Sequence, residues 1–264
     1  MISVDSLSLA TSKLDMLCNG QKLGPGSGFY YRKDSRLFLV SNWHVFCGRH
    51  PKTRQPLHSS CWVPDEQTIY LQRMNSEGML EAVGYTDRLQ NSSGVAEWWE
   101  HPTLGSKVDV GVVELLGELK EKQTHSAELL GGEKLPIKIG QEVFVLGYPK
   151  GLLKQGLLPV WKRGSIASEP ELTVEDAPIM LIDTGTREGM SGSPVIAVSR
   201  LSGFARREDG TVVAVDRARL LGVYSGRYGA EEFSDVQLGL CWKASLIDEI
   251  IAGEKPANLE LEVT

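Results

Sequence analysis

The apolar residues of this chain occur in short runs separated by turn residues, and this pattern restricts the fold more than any other feature of the sequence. The first two runs, 29–34 and 36–42, meet at Lys33, Asp34 and Ser35 and predict a β-hairpin. Similar runs follow at 68–74, 80–86, 108–115, 142–149, 159–168, 178–185, 193–199, 211–216, 219–226 and 236–242. Strands do not alternate with helices, so an all-β sandwich or barrel is favoured over a doubly wound α/β fold.

The apolar spacing changes near the C-terminus, where it predicts one helix over 243–253 that packs against the strands. Ser245 is the expected N-cap. The apolar face of this helix consists of Leu246, Ile247, Ile250 and Ile251. A polar stretch at 117–141 separates two strand-rich halves of the chain, and we expect the connection between the halves to lie there.

Composition and charge argue against several classes of protein. The chain has 264 residues, of which 41% are hydrophobic and 23% charged, as in soluble globular proteins of one large or two smaller domains. The formal net charge of −6 argues against binding to nucleic acid or to an anionic membrane surface. The N-terminus lacks a secretory signal pattern and no apolar window could span a bilayer, so we expect a cytoplasmic location.

Four cysteines are too few for a disulfide scaffold in a chain of this length. We expect mostly free, buried thiols at Cys18, Cys47, Cys61 and Cys241. The spacings Cys47-x2-His50 and His58-x2-Cys61 are compatible with zinc ligation. These four residues belong to one loop rich in Pro, Arg and Ser, and a surface loop is the favoured interpretation, with no metal and no cofactor.

Three motifs supply an imidazole, a carboxylate and a hydroxyl in the order His, Asp, Ser. His44 lies in SNWHVF at the end of an apolar run, Asp109 opens VDVGVVEL, and Ser191 lies in the glycine-rich GMSGSP. A serine hydroxyl is a poor nucleophile until a base takes its proton, and that base needs a carboxylate to fix its tautomer. We therefore predict acyl transfer with Ser191 as nucleophile, His44 as general base and then acid, and Asp109 orienting His44.

Other residues compete for two of these roles. Because every histidine precedes Ser191, the Ser–Asp–His order of α/β-hydrolases is excluded. The alternative carboxylates are Asp65, Asp87, Asp176 and Asp183. Asp109 is preferred because it begins a strongly apolar run, where burial beside an imidazole is expected. Ser193 is the alternative nucleophile, but glycines lie on either side of Ser191. The N–H groups of Gly189 and Ser191, with the backbone of Met190 between them, are the predicted oxyanion donors.

Together these motifs resemble those of chymotrypsin-fold, trypsin-like serine peptidases, and they are closest in style to the protease domain of bacterial HtrA-type enzymes. FLVSNWHV is similar to the family's V-T-x-x-H-V, and VDVGVVEL to its D-[IL]-A-[LV]-[LI]. LIDTGTREGMSGSPVIA matches the pattern around the family's nucleophile, with Ser193 in place of the usual second glycine. The matches extend over most of residues 25–250.

The resemblance implies an all-β fold of two six-stranded antiparallel β-barrels, chymotrypsin-like, with a C-terminal α-helix. It further implies a serine endopeptidase whose partners are peptide or protein substrates. The expected division of the chain is an N-terminal barrel at 1–118, a connection at 119–137, a C-terminal barrel with the terminal helix at 138–253, and a flexible tail at 254–264.

The resemblance also locates a specificity pocket. Its expected lining is Gly185 at the floor, Thr186 beside it, and Tyr224, Ser225, Gly226, Arg227 and Gly239 along the walls. No Asp occupies the floor, so a Lys or Arg before the scissile bond (position P1) is not supported. A small or apolar P1 residue is expected, although Arg227 could recruit an acidic one, and Tyr224 could fill part of the pocket.

Two departures from the family affect the expected activity. Met190 stands where the animal enzymes carry the Asp that pairs with a new N-terminus, so activation by N-terminal cleavage is not expected. Ser193 replaces a glycine, which leaves an alternative open: a protease-fold module that binds peptides without cleaving them, or that becomes active only with a protein partner.

Overall fold

The computed structural model describes residues 4–128, 136–151, 158–185, 188–206, 212–228 and 237–259. Their strands form two antiparallel six-stranded sheets, which confirms the predicted all-β, chymotrypsin-like fold class. In chain order the elements are α1 (Ser6–Leu9), β1 (Thr11–Cys18), β2 (Gln21–Lys33), β3 (Arg36–Ser41), α2 (Trp43–Cys47), β4 (Glu66–Met74), β5 (Leu80–Arg88), β6 (Gly111–Leu115), α3 (Gly117–Lys122), β7 (Glu142–Gly147), a 3-10 turn (Pro149–Gly151), β8 (Val160–Ile166), β9 (Ile179–Asp183), β10 (Pro194–Arg206), β11 (Val212–Arg227), β12 (Leu238–Lys243) and α4 (Ser245–Gly253).

The first sheet has the strand order β5-β4-β1-β2-β3-β6. Its β2–β3 hairpin turns at Asp34 and Ser35, as the sequence predicts. Strands β5 and β6 are its two ends, and they line a cleft of about 460 Å³. The segment before β6 spans part of this gap, because Glu97 N–H donates to Leu89 O at 2.9 Å and Trp99 pairs with Val112.

The second sheet closes into a barrel in the order β10-β11-β12-β9-β8-β7. Its longest pair is the β10–β11 hairpin, in which the separate runs predicted at 211–216 and 219–226 form one strand. The connection from the first sheet leaves β6 at Leu115 and enters β7 at Glu142. Residues 129–135 of this connection lie outside the described residues, and the predicted domain boundaries stay a prediction.

Helix α4 joins the two sheets through its apolar face. Its buried residues are Leu246, Ile247, Ile250 and Ile251. They pack in one cluster with Phe38 and Val40 of the first sheet and Val223 of the second. The predicted N-cap is wrong: Ser245 is the first helical residue, and Ala244 holds the cap position without a side-chain bond. The chain turns directly from β12 into the helix, because Ala244 N–H still donates to Leu221 O at 2.8 Å.

Residues 255–257 after α4 are hydrogen-bonded to residues 98–100 and belong to the segment 254–264 that we predict to be a flexible tail. Glu100 N–H donates to Lys255 O at 3.0 Å, and Ala257 N–H donates to Trp98 O at 3.0 Å. Ala257 is only 6% exposed. Burial of apolar surface together with these backbone bonds explains the ordering. Residues 260–264 lie outside the described residues.

None of the helices in the described ranges has the length and hydropathy of a membrane-spanning segment.

Candidate active site

His44 projects from a short helix that begins where β3 ends. Asn42 holds the N-cap in an extended conformation, and its side-chain Nδ2 donates to the carbonyl of Asp109 at 2.7 Å. At the other end of α2, Gly48 adopts a left-handed conformation and donates to His44 O at 2.9 Å. The strand, the cap and the helix therefore fix the direction in which the imidazole points.

Asp109 binds both the backbone and the ring of His44. Its Oδ1 accepts the backbone N–H of His44 at 2.9 Å, and its Oδ2 lies 2.7 Å from His44 Nδ1. The aspartate is 1% exposed. With Nδ1 directed at the carboxylate, Nε2 is the ring nitrogen left to accept a proton. None of Asp65, Asp87, Asp176 and Asp183 contacts His44 in the described part of the chain.

Ser225 is a third group on this carboxylate. Its hydroxyl donates to Asp109 Oδ2 at 2.7 Å. Sequence analysis assigned Ser225 to the wall of the pocket and did not detect this bond. The only signal in the sequence was its place near the end of the apolar run 219–226, which forms the last part of β11.

Backbone contacts place the loop of Ser191 beside these groups. Ser27 N–H donates to Ser191 O at 2.9 Å, and the Ser27 carbonyl accepts from Ser41 Oγ at 2.7 Å. Ser41 is the last residue of β3 and lies just before Asn42 and the helix of His44. On the other side, Gly192 N–H donates to the carbonyl of Tyr224, next to Ser225, at 2.9 Å. The loop of Ser191 is therefore bonded on one side to Ser27, which contacts the end of β3 just before His44. On the other side it is bonded to β11, which carries Ser225.

Two glycines give this loop its shape. Gly192 has a φ of +86°, and a Cβ there would overlap Ser27 O and Ser41 Oγ. No other residue fits that position. Gly189 has a φ of +87°, and its carbonyl accepts from Ser27 Oγ at 2.8 Å. Ser27 Oγ in turn accepts from Tyr148 N–H at 3.0 Å. Ser27 was not predicted from sequence, because its role depends on a contact with a residue 162 positions away.

The predicted oxyanion donors are free to bind a ligand. Among the described residues, the N–H groups of Gly189 and Ser191 donate to no acceptor. The Met190 side chain between them is fully buried in the barrel core with Val145 and Ile182. Packing of this side chain therefore anchors the loop where the animal enzymes use an ion pair.

Ser193 lies beneath the loop of Ser191, in the interior of the protein. It is fully buried, its N–H donates to Met190 O at 3.1 Å, and its carbonyl accepts from Tyr224 N–H at 2.8 Å. Its hydroxyl packs against Gly147 and has no hydrogen-bond partner within the described residues. A hydroxyl in this position does not reach a substrate, so Ser191 is the accessible serine of the motif.

Comparisons with known proteins identify the family of this chain. The family model for the trypsin-like peptidase domain matches residues 26–201. The chain belongs to the trypsin-like peptidase family.

Solved structures of proteases share the fold of this trypsin-like peptidase chain. The Rv3671c protease from M. tuberculosis, in its active form, is 18% identical with a TM-score of 0.55, over 98% of this chain and 88% of that one. The serine endoprotease from Yersinia pestis is 12% identical with a TM-score of 0.50, over 96% of this chain and 67% of that one. At these identities the likeness extends to the fold alone. A sequence comparison with curated proteins finds no match.

Tyr224 packs against Gly239, another residue of the predicted pocket lining. This side chain is 2% exposed, and its Cε2 lies 2.7 Å from where a Cβ of Gly239 would be. Thr184 and Ile182, which the sequence analysis did not include, approach the same point at 3.4 Å and 3.2 Å. Gly185 follows Thr184 directly. Three residues of the predicted lining, Gly185, Tyr224 and Gly239, therefore lie near one another.

The remaining predicted lining residues are placed differently. Gly226 has a φ of +129°, and no atom of the described residues lies within 4 Å of where its Cβ would be. Arg227 is exposed and pairs through its backbone with Gly239. Ser225 faces Asp109 instead of the pocket. Thr186 lies outside the described residues.

The cysteine and histidine residues at the end of α2 and in the loop after it have a spacing compatible with zinc ligation. No three His, Cys, Asp or Glu side chains cluster at ligand distances within the described ranges. Cys47 is buried and Cys61 is exposed, and all four cysteines are free thiols.

Proposed function

We propose that this chain is a serine endopeptidase that cleaves peptide bonds through an acyl-enzyme on Ser191. The observation that supports it most directly is the 2.7 Å contact between His44 Nδ1 and Asp109 Oδ2, beside a loop that presents Ser191 and two free N–H groups. Each group in that array has a role in acyl transfer.

In the first half of the reaction, Ser191 Oγ attacks the substrate carbonyl carbon while His44 Nε2 takes the hydroxyl proton. The oxygen of the carbonyl becomes an oxyanion and accepts hydrogen bonds from Gly189 N–H and Ser191 N–H. The C–N bond then breaks, and His44 delivers its proton to the leaving amine. Asp109 holds the imidazole in the required tautomer and stabilises its protonated form.

In the second half, water replaces the amine. His44 removes a proton from the water as its oxygen attacks the acyl carbon, and the same N–H groups bind the second oxyanion. Collapse releases the carboxylic acid and returns the proton to Ser191. Ser191 Oγ and His44 Nε2 form no hydrogen bond within the described residues. Such bonds are often long in unliganded enzymes and shorten in the substrate complex.

The pocket supports a substrate with a small residue at P1. Tyr224 occupies the space beside Gly239, and no acidic side chain among the described lining residues would bind a cation. Alanine, glycine or serine side chains fit such a pocket, whereas aromatic and basic ones would have to displace the buried ring.

A fluorophosphonate probe tests the proposed nucleophile, because it labels a serine only when a base activates it. We expect labelling of the wild-type protein and of Ser193→Ala, and none of Ser191→Ala or His44→Ala. Labelling of Ser191→Ala, or none of the wild type, would refute the assignment. Labelling without cleavage of any peptide in a diverse library would favour the peptide-binding or partner-activated module.

A further inference from the structure

Among the described strands, the first sheet ends in two free edges, whereas the second sheet closes into a barrel. Residues 85–88 of β5 and residues 113–116 at the end of β6 both line the cleft of about 460 Å³. A cleft of this size is within the range of ligand sites in proteins. None of His44, Asp109 and Ser191 lines it, so the cleft is separate from the proposed active site.

Backbone groups of β6 are left without partners at this cleft. On the edge of β6 away from β3, Val112 exchanges two hydrogen bonds with Trp99, at 2.7 Å and 3.1 Å. Backbone groups alternate between the two edges of a strand, so Glu114 directs its N–H and C=O to the same edge as Val112. Glu97, which the antiparallel register would bring opposite Glu114, donates to Leu89 O instead. Among the described residues, no backbone group bonds to Glu114 on that edge.

The edge of β5 is free in the same way. Within the described part of the chain, β5 pairs with β4 alone. Every second residue of β5 therefore directs its N–H and C=O away from the sheet. Unpaired strand edges of this kind accept an added extended chain, whose backbone completes the hydrogen bonds.

The lining of the cleft is acidic. Its charged members are four carboxylates and one guanidinium, namely Asp87, Glu97, Glu114, Glu118 and Arg88. Glu114 pairs with Arg36. Glu118 pairs with Lys122. Asp87 and Glu97 form no ion pair with a Lys or Arg among the described residues. The cleft therefore has an excess of negative charge, which attracts cationic groups.

The two carboxylates without cations are close to each other. Burial raises the pKa of the Asp87 carboxyl above its ordinary value, the Arg88 N–H on Asp87 Oδ1 lowers it, and the neighbouring Glu97 carboxylate raises it. A cation placed beside both groups would relieve their mutual repulsion and stabilise the charged form of Asp87.

A buried amide next to Asp87 also lacks partners. Gln67 lies opposite Asp87 in the β4–β5 pair, so the two side chains project from the same face of the sheet. Gln67 is fully buried, and neither Oε1 nor Nε2 has a hydrogen-bond partner among the described residues. Buried amide groups of this kind are costly. A Lys or Arg side chain held by Asp87 carries further N–H donors that the amide oxygen could accept.

Apolar side chains lie between these charges. Tyr85, Trp99 and Leu119 line the cleft, and so does Leu116, which is 68% exposed. Apolar surface within a cleft, rimmed by charged groups, is typical of a protein interaction site. Side chains of an extended segment alternate between two faces, so one segment can present cations on one face and apolar groups on the other.

We propose that the cleft between β5 and β6 binds an extended basic segment of a partner protein, which adds a strand to the first sheet. Backbone groups of the segment pair with Glu114 and with the edge of β5, and a Lys or Arg side chain lies against Asp87 and Glu97. The proposal goes beyond the proposed peptidase function and does not depend on it.

Charge selects this occupant over two others. A second copy of the chain would bring the same acidic lining to the cleft. The C-terminal residues 260–264 contain Glu260 and Glu262 and no Lys or Arg. Like charges brought together in a partly buried cleft oppose binding, whereas a basic segment is complementary.

Labelled peptides test the proposal by fluorescence anisotropy with the Ser191→Ala protein, which lacks the proposed nucleophile. Three peptides of about eight residues, the length of a typical strand, carry Val at every second position and Lys, Ser or Glu between. We expect the Lys peptide to bind at least about tenfold more tightly than the Ser peptide at low ionic strength, and the Glu peptide to bind least. Added salt should reduce the difference. A Lys peptide with every second amide N-methylated keeps its charge but cannot pair on one edge, and should bind about tenfold more weakly.

Charge-neutralising variants assign the effect to the cleft. In Asp87→Asn/Glu97→Gln, made in the Ser191→Ala protein, the affinities for the Lys and Ser peptides should become similar. Glu77→Gln/Glu169→Gln removes two exposed carboxylates from outside the cleft and changes the net charge equally. This control should keep the preference for Lys.

Hydrogen–deuterium exchange locates the bound peptide. We expect the Lys peptide to slow exchange in residues 85–88 and 112–116, where backbone N–H groups gain acceptors. Exchange in residues 189–192, in the loop of Ser191, should not change. Protection confined to residues 189–192 would show that the peptide binds as a substrate does, and would overturn the proposal.

Three further results would also overturn it. The first is equal affinity for the Lys and Ser peptides, and the second is a preference for Lys that survives in Asp87→Asn/Glu97→Gln. The third is a different occupant: a dimer of the free protein that the Lys peptide dissociates, or binding that appears only after deletion of residues 260–264. Because none of these measurements requires turnover, their failure leaves the proposed peptidase function unaffected.

Discussion

Ser225 donates a 2.7 Å hydrogen bond to the same oxygen of Asp109 that contacts His44 Nδ1. The His44 backbone N–H donates to the other oxygen, Oδ1. This carboxylate is only 1% exposed, and it is therefore bound by three groups, none of them a Lys or Arg among the described residues. The orientation of Asp109, and through it that of the imidazole, therefore depends on a strand of the second barrel.

The first prediction concerns that dependence. Ser225→Ala should lower kcat about tenfold with little change in KM, because the lost bond orients the base and does not touch the substrate. Asp109→Asn should lower kcat by about 10⁴, because an amide favours the wrong imidazole tautomer. Steady-state kinetics on one peptide measures both, and Ser225→Thr, which keeps a hydroxyl, is the matched control. A rise in KM with unchanged kcat would place Ser225 in substrate binding instead.

The second prediction concerns Tyr224 and the residue at P1. Tyr224→Val should admit larger P1 side chains, because it removes the ring that lies beside Gly239. We expect kcat/KM for a peptide with Phe at P1, divided by kcat/KM for a peptide with Ala at P1, to rise at least about tenfold. The phenyl ring at P1 would fill the apolar volume that the tyrosine ring leaves. Gly239→Ala, which adds a methyl group 2.7 Å from Tyr224 Cε2, is the opposing control and should lower both values. An unchanged ratio would show that P1 binds elsewhere.

Strand positions and the order of the site motifs could be predicted because they depend on local patterns. Alternating apolar residues mark a strand whatever it pairs with, and His44, Asp109 and Ser191 each lie in a short motif. Strand β1 was not predicted, because Lys13 and Asp15 break its apolar pattern. These two charges are buried as a pair, and no local pattern indicates such a pair.

Contacts between distant parts of the chain account for the other differences. The roles of Ser27 and Ser225 depend on partners 162 and 116 positions away. The docking of residues 255–257 depends likewise on Trp98–Glu100. Polar residues near a terminus have the composition of a mobile end, and the sequence alone does not show the surface on which they pack.

The third prediction compares two buried serines, Ser27 and Ser193, beneath the loop of Ser191. Ser27→Ala removes a donor to Gly189 O and an acceptor for Tyr148 N–H, so it should cost about 1–3 kcal/mol in the free energy of unfolding and slow fluorophosphonate labelling. Ser193→Ala removes a hydroxyl without a described partner and should be neutral or stabilising. Urea denaturation compares the two, and equal losses would contradict the bonding described for Ser27.

The fourth prediction concerns acid stability. Burial raises the pKa of Asp15, but hydrogen bonds from Lys22, Lys13 and Tyr70 outweigh it and hold the pKa below its ordinary value. A carboxyl whose pKa is lower in the folded state stabilises the fold above its unfolded pKa of about 4, and this contribution is lost as the pH falls through the folded pKa.

Asp15→Asn should therefore be less stable than the wild type at pH 7, and the difference should shrink below about pH 4. Lys13 is only 5% exposed, so loss of its partner should cost about 3–5 kcal/mol at neutral pH. Lys22→Gln, at an exposed member of the same cluster, should cost about 1 kcal/mol or less. Urea denaturation from pH 3 to 7 measures these values, and a pH-independent difference would contradict the ion pairing.

The fifth prediction links the C-terminal segment to the helix of His44 through one buried carboxylate. Glu100 is 2% exposed, and its two oxygens bind Trp43 Nε1 at 3.1 Å and Lys255 Nζ at 3.0 Å. Deletion of residues 254–264 would leave this charge without its cation and remove two backbone hydrogen bonds to Trp98 and Glu100.

Breaking a buried ion pair typically costs about 3–5 kcal/mol, so the free energy of unfolding of the truncated protein, measured by urea denaturation, should be lower by about that amount. Lys255→Met keeps the backbone bonds and should account for only part of the loss, because the lysine side chain is 42% exposed. Adding Glu100→Gln to the truncation removes the unpaired charge but keeps an acceptor for Trp43, and should restore part of the stability. No restoration would mean that the segment acts through its backbone and apolar contacts alone, and that Glu100 does not couple it to the helix of His44.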